Sequence, residues 1–172
     1  MKDRETIVEQ NRAAWSARAY QASCVAHGSP SEEAGKLKLD PKRKLRRLIP
    51  YIGEVEGLKV GNPLGSSGRV GVALALLGAR VTVFDISPQN RQFATELADA
   101  AGVEMEYLVG DFIEVAANHE VACFDLLVME LGILHYFSDL KAYVRSLFHL
   151  LKPGGRVVMN EFHPIMKKSL SV

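Results

Sequence analysis

Three acidic residues stand where an apolar run gives out: Asp85 after RVTVF, Asp111 just beyond MEYLV, and Glu130 at the end of FDLLVME. Runs of this composition read as strands. In a parallel sheet their carboxyl ends share one rim, and that rim is where open α/β sheets bind ligands. Asp85 could accept hydrogen bonds from ribose hydroxyls. Asp111 and Phe112 pair a carboxylate with a ring able to stack on an adenine, although an exposed Asp beside a core Phe gives the same pattern. Glu130 opens ELGILHY, which adds Leu131, His135 and Tyr136 to the rim. His135 suits three roles: general base, pocket lining or a structural residue.

Gly65-Ser66-Ser67-Gly68 forms a small-residue turn between a short strand and an apolar helix. Small residues let a ligand approach the backbone, and a helix start offers N–H groups without intrahelical partners. A tight structural turn is the competing explanation. The dinucleotide pattern G-x-G-x-x-G and the P-loop pattern are both absent, so phosphate cradling is not the expected use. Nor does the turn match the nucleophile elbow G-x-S-x-G. The other histidines, His27, His119, His149 and His163, show no ligand spacing, and no metal is expected.

The elements that must position these residues alternate from Leu58 onward. Strands are expected at 58–61, 80–84, 105–109, 124–130 and 156–162, with helices at 68–77, 88–101 and 139–151. The first strand should stop before Pro63, which cannot donate to a ladder. This order implies a mostly parallel sheet covered on both faces. Ahead of it, helices at 3–26, 32–39 and 42–52 form a helical preface over residues 1–56, leaving 57–172 as the sheet domain. Trp15 and Tyr20 are expected to anchor the preface, with an aromatic lid as the other option.

The 172 residues are 48% hydrophobic and 24% charged, which excludes a disordered chain and a coiled coil. Net charge is +1, and the balance shifts only from +3 before residue 57 to −2 after it. That demands neither a nucleic-acid nor a membrane partner. The segment 36–47 holds seven basic residues, but Leu39, Leu45, Leu48 and Ile49 give it an apolar side, so it reads as a solvated face. Two cysteines cannot build a disulfide framework, and no signal-peptide core or membrane-span run is present, so a cytoplasmic protein is expected.

As an ordered set these segments resemble the class I S-adenosylmethionine-dependent methyltransferases. Leu74-Ala75, Gly78-Ala79, Val81 and Asp85 fall at that family's spacing after its last loop glycine, here Gly68. Gly110-Asp111-Phe112, Phe124-Asp125-Leu126, Leu134-His135 and the turn LKPGGR match its later landmarks. NPLGSSGR, MELGILHYFSDL and NEFHPI are similar to a bacterial subfamily that carries a like helical preface. Asn62, Leu64 and Ser66 depart from the family's acidic and glycine positions, and Leu64 in particular is ill suited to positive φ.

The resemblance implies a Rossmann-like fold, S-adenosylmethionine as cofactor and methyl transfer to a small-molecule acceptor. A remnant that binds the cofactor without turnover and a nucleotide-binding oxidoreductase are the alternatives. Gly65, Ser66, Ser67 and Gly68 would line the methionine moiety and ribose, and Asp85 would hold the ribose hydroxyls. Ile86 would pack near the adenine, with Asp111 on its amine and Phe112 beside the ring. Glu130 and Leu131 would stand at the methyl-donor end, and His135, with Glu130, on the acceptor side. Only ten residues, His163–Val172, follow the fifth strand, too few for the helix and two strands the family usually adds. The sheet is therefore expected to be truncated after strand five, in the order 3-2-1-4-5. Strand 156–162 then lies at an open edge that invites a homodimer.

Overall fold

A computed structural model describes residues 4–162. Five parallel strands, β1 (Lys59–Pro63), β2 (Arg80–Asp85), β3 (Glu106–Val109), β4 (Phe124–Glu130) and β5 (Leu151–Asn160), form one sheet in the order β3-β2-β1-β4-β5. The expected Rossmann-like architecture and strand order are those observed. Helices α6 (Arg69–Leu76), α7 (Pro88–Ala101), α8 (Phe112–Ala117) and α9 (Leu140–Leu150) make the crossovers.

Alternation along β4 divides the interior in two. Leu126 and Val128 enter one core with Phe93, Leu97 and Val72, while Leu127 and Met129 enter the other with Tyr143, Leu147 and Phe112. Adjacent residues on a strand point to opposite faces, so a continuous apolar run is what a doubly covered strand requires.

The preface consists of α1 (Arg4–Ser16), α2 (Ala19–His27), α3 (Pro30–Leu39) and two single turns, α4 (Pro41–Lys44) and α5 (Ile49–Ile52). A capping box between Ser29 and Glu32 starts α3, and Asp40 caps α4 through the Arg43 N–H. Leu37, Leu45, Leu48 and Ile52 share the core of β1 and β2, so the preface is packed onto the sheet.

Several boundaries differ from expectation. The helix expected over 3–26 breaks at Ala17-Arg18, where Arg18 leaves the helical region (φ −151°, ψ 17°); the residue at its expected start, Asp3, lies outside the described residues. The break lets two helices serve different surfaces. Tyr20 of α2 packs edge-on against Phe93 and donates to Glu96, whereas the Trp15 carbonyl of α1 accepts from the Ser87 hydroxyl. The helix expected over 42–52 is instead α4 and α5, because Pro50 has no N–H to continue an α ladder. Helix α8 was not expected: its six residues are too few to show a helical period.

Strand β1 also runs through Pro63, against expectation. Pro63 pairs with Phe84 of β2, while on the β4 side the register ends at Gly61 opposite Leu127 and the Asn62 amide donates to the Val128 carbonyl (2.8 Å). A side-chain donor thus serves the carbonyl beside the proline. Strand β5 begins at Leu151 and the LKPGGR turn sits inside it as an irregularity: Leu151 lies opposite Phe124, but Arg156 lies opposite Leu126. The expectation for His163–Val172 falls outside the described residues.

Candidate functional site

At the carboxyl ends of β1, β2 and β4 lies a cavity of about 530 Å³. Eight of the sequence-expected residues line it: Ser66, Asp85, Ile86, Asp111, Phe112, Glu130, Leu131 and His135. Parallel pairing brings them together, because it sets every strand's carboxyl end on the same side. Gly65, Ser67 and Gly68 are not among the lining residues. A Cβ on Gly65 would lie 2.5 Å from Asn62 Oδ1 and from Val83 Cγ1; one on Gly68 would lie 2.6 Å from the Ala94 Cβ, at φ +73°. These two glycines let the loop pack against β2 and α7, and Ser66 presents the loop to the cavity.

Leu64 and Ser66 both adopt positive φ, +52° and +49°. Leu64 takes up this conformation despite its branched side chain, which lines the cavity and packs against the second core. Packing therefore offsets a backbone cost of roughly 1 kcal/mol. Ser66 is held through both of its backbone polar groups. Its N–H donates to Asp85 Oδ2 (3.0 Å), and its carbonyl accepts from the Tyr107 hydroxyl (2.6 Å).

Asp85 is 9% exposed and still faces the cavity. Its Oδ1 accepts from the Ser87 N–H (2.9 Å) and the Asn90 amide (3.1 Å). Burial pushes its carboxyl above the usual aspartate range, and the hydrogen bonds from Ser87, Asn90 and Ser66 oppose that rise. Asp111 caps α8, its Oδ1 accepting from the N–H groups of Ile113 (3.1 Å) and Glu114 (3.2 Å). Phe112 is buried edge-on against Phe84.

Glu130 is ion-paired with Lys44 of the preface. His135 follows in a short 3-10 turn, Leu134–Tyr136, its ring against Tyr136 with centroids 4.0 Å apart. Glu161 holds this turn in place: its two oxygens accept from the N–H groups of Gly132 (2.8 Å), Ile133 (2.6 Å) and Leu134 (2.8 Å). Burial works against the Glu161 charge, but these donors and the Phe162 N–H bring its carboxyl below the ordinary glutamate value. Ile7, Val8, Asn11 and Trp15 of α1 form another wall, with Trp15 edge-on to Tyr136 at 6.0 Å. Trp15 thus anchors α1 through its carbonyl, while its ring lines the cavity.

Sequence reasoning missed Tyr107, Asn90, Lys44 and Glu161. Ser87-Pro88 with Asn90 three residues after Ser87 is a local helix-start signal that could have revealed one of them. The others meet their partners 41, 86 and 27–29 residues away.

The cavity's charge is one-sided. Asp85, Asp111, Glu130 and Asp139 line it, and among the described lining residues there is no Lys or Arg. Such a wall suits a ligand bearing hydroxyls and positive charge, and it suits a pyrophosphate poorly.

Residues 62–159 match the methyltransferase domain family. A ubiquinone biosynthesis O-methyltransferase of Methylocella silvestris is 35% identical over 101 residues, spanning 59% of this chain and 38% of that protein. The protein of the same name from Xanthomonas euvesicatoria is 28% identical over 127 residues, 70% of this chain and 52% of that one. The chain thus spans about half the length of these relatives or less. Among solved structures, an S-adenosylmethionine-dependent methyltransferase from Mesorhizobium loti is 26% identical with a TM-score of 0.59, covering 75% of this chain and 56% of that one. The Haemonchus contortus phosphoethanolamine N-methyltransferase 1 shares the fold at 14% identity, with a TM-score of 0.70 over 93% of this chain and 33% of its own.

Proposed function

The chain belongs to the methyltransferase domain family, and from that premise we propose that it transfers a methyl group from S-adenosylmethionine to a small-molecule acceptor. The observation that carries this reading is the acidic cavity, with no Lys or Arg among its described lining residues and the buried Asp85 carboxylate turned into it. The same observation disfavours a dinucleotide oxidoreductase, whose cofactor carries a pyrophosphate. When bound, S-adenosylmethionine supplies a positively charged sulfonium methyl for in-line displacement.

In this reading the chain's own residues orient and exclude. Asp85, already fixed by three donors, accepts from the ribose hydroxyls. Ile86 and Phe112 flank the adenine and Asp111 faces its amine. Gly65, Ser67 and Gly68 shape the loop that brings Ser66 to the methionine moiety. Glu130 and Leu131 stand at the donor end, where Lys44 occupies Glu130 Oε2. That leaves the His135 imidazole as the group that takes the acceptor's proton. The relatives are named for O-methylation, so a hydroxyl is the first acceptor to test. Residues 1–56 act as a cap, with α1 closing the cavity from water, and 57–172 as the cofactor-binding domain.

Titration of the chain with S-adenosylhomocysteine tests the cofactor assignment, and saturable heat with thermal stabilisation is expected. Neither response at millimolar ligand would overturn it. Transfer of labelled methyl from S-adenosylmethionine to phenolic acceptors, lost in His135→Ala, tests the reaction.

Two finer assignments belong to the same reading. The free thiols Cys24 and Cys123 suit the cytoplasm, and no helix of the described residues is long and apolar enough to cross a membrane. The segment 156–162, the outer edge of β5 up to Asn160 and then two residues beyond it where the strand was expected to continue, is a surface for homodimerisation, with Val157 42% and Phe162 45% exposed. Sedimentation showing only monomer at high concentration would refute that dimer.

A further inference from the structure

On the other side of the Lys44–Glu130 pair lies a second hollow, an open cleft of about 560 Å³. Glu130 lines both. The two differ sharply in charge: the cleft is lined by six lysines and arginines against three carboxylates, one of them Glu130 itself. These cations come from the basic segment 36–47 together with Arg69; the segment is solvent-facing as expected, and its exposed side also lines this cleft.

The cations divide into two groups. Glu33, 3% exposed, lies at the base of the cleft and accepts from Arg69 (2.6 Å), with Lys36 at 3.4 Å. Lys44 is taken by Glu130. Arg43, Arg46 and Arg47 line the same cleft, and their guanidiniums have no carboxylate or carbonyl partner among the described residues. Their placement follows from the helix turns around them. Asp40 caps α4 through the Arg43 N–H, and Leu45 and Leu48 are fully buried, which fixes the backbone register of Arg43 before them and of Arg46 and Arg47 between them. Arg43, Arg46 and Arg47 are exposed side chains on one cleft, and a multiply charged oxyanion there would draw their planar donor forks together while offsetting their mutual repulsion.

We propose that this cleft binds a phosphate group carried by the methyl acceptor, with Arg43, Arg46 and Arg47 as its ligands. The inference rests on the proposed methyl transfer for there being an acceptor, and on the cleft alone for the phosphate. Glu130 lines both hollows, so the proposal puts the anionic end of such a molecule in the cleft and its reacting end across the Lys44–Glu130 pair, in the cavity. The phosphate belongs to a soluble phosphoester or to a lipid headgroup.

Calorimetric titration of the full chain with inorganic pyrophosphate tests the site, in parallel with S-adenosylhomocysteine. Saturable one-to-one binding of pyrophosphate is expected, weakened about tenfold for each of Arg43→Gln, Arg46→Gln and Arg47→Gln. The affinity for S-adenosylhomocysteine should be unchanged in these variants, and that result also certifies their fold. Arg→Lys at the same positions should recover part of the binding. Pyrophosphate binding that is absent, or indifferent to the three substitutions, would overturn the site. So would a loss confined to single-stranded RNA, which would make the arginines a nucleic-acid face. Vesicles containing phosphatidic acid, compared with glycerol 3-phosphate, separate the lipid from the soluble source. Failure of S-adenosylhomocysteine to bind while pyrophosphate binds would remove the methyltransferase reading and leave the anion site standing.

Discussion

The Lys44 ammonium and the Glu130 carboxylate form an ion pair that ties the helical cap to the carboxyl end of β4. The pair is largely buried, at 17% and 11% side-chain exposure, and stands at the wall between an acidic cavity and a basic cleft. Removing one partner leaves the other desolvated without compensation. Lys44→Met should therefore lower the unfolding free energy by about 1–3 kcal/mol. Adding Glu130→Gln should recover much of that loss, and a double-mutant cycle in urea measures the coupling.

Asp85 is the residue on which cofactor affinity should depend most. Asp85→Ala is expected to weaken S-adenosylhomocysteine by about ten- to a hundredfold, the worth of charge-assisted hydrogen bonds. Unchanged affinity would contradict the ribose assignment.

The same group predicts a pH dependence with a definite sign. Burial raises the Asp85 carboxyl in the folded chain. The folded state therefore binds this proton more readily than the unfolded state, so Asp85's ionisation subtracts from stability as pH rises through the folded value. Cofactor binding should respond in the opposite sense, failing on acidification at a higher pH than an ordinary aspartate would dictate. Urea unfolding across the acidic range, beside Asp85→Asn, checks the first sign, and titrations of S-adenosylhomocysteine over the same range check the second.

Glu161 should behave conversely. Its carboxyl is held below the ordinary value, so its contribution is complete above the unfolded glutamate value of 4.5 and is lost as pH falls through the folded one. In Glu161→Gln the acid limb of the stability curve should flatten, and amide exchange at Gly132, Ile133 and Leu134 should quicken.

Ser66 offers a gain. Its φ of +49° is one glycine adopts without strain, and its polar contacts run through the backbone rather than the hydroxyl. Ser66→Gly should raise the unfolding free energy by about 0.5–1 kcal/mol, read from the urea midpoint. Leu64→Gly should not, because it also removes a side chain packed against the second core.

Much of this molecule is local in origin. Apolar runs ending at Asp85, Gly110 and Glu130 specify strands, and the helices between them force parallel pairing; those facts alone bring eight expected residues to one cavity. The order of the elements and the rim on which chemistry would fall were therefore legible in the chain itself, because periodicity and turn residues act over a few neighbours. The tertiary structure decided the rest. It broke the first helix at Arg18, so that α1 could cover the cavity while α2 packed on α7. It carried β1 through Pro63, with the Asn62 amide serving the Val128 carbonyl, and held Leu64 and Ser66 at positive φ. It also set Lys44 against Glu130 and turned a basic segment into a cleft. Each of these depends on partners far apart in the chain, whose meeting is fixed by packing rather than by neighbouring residues.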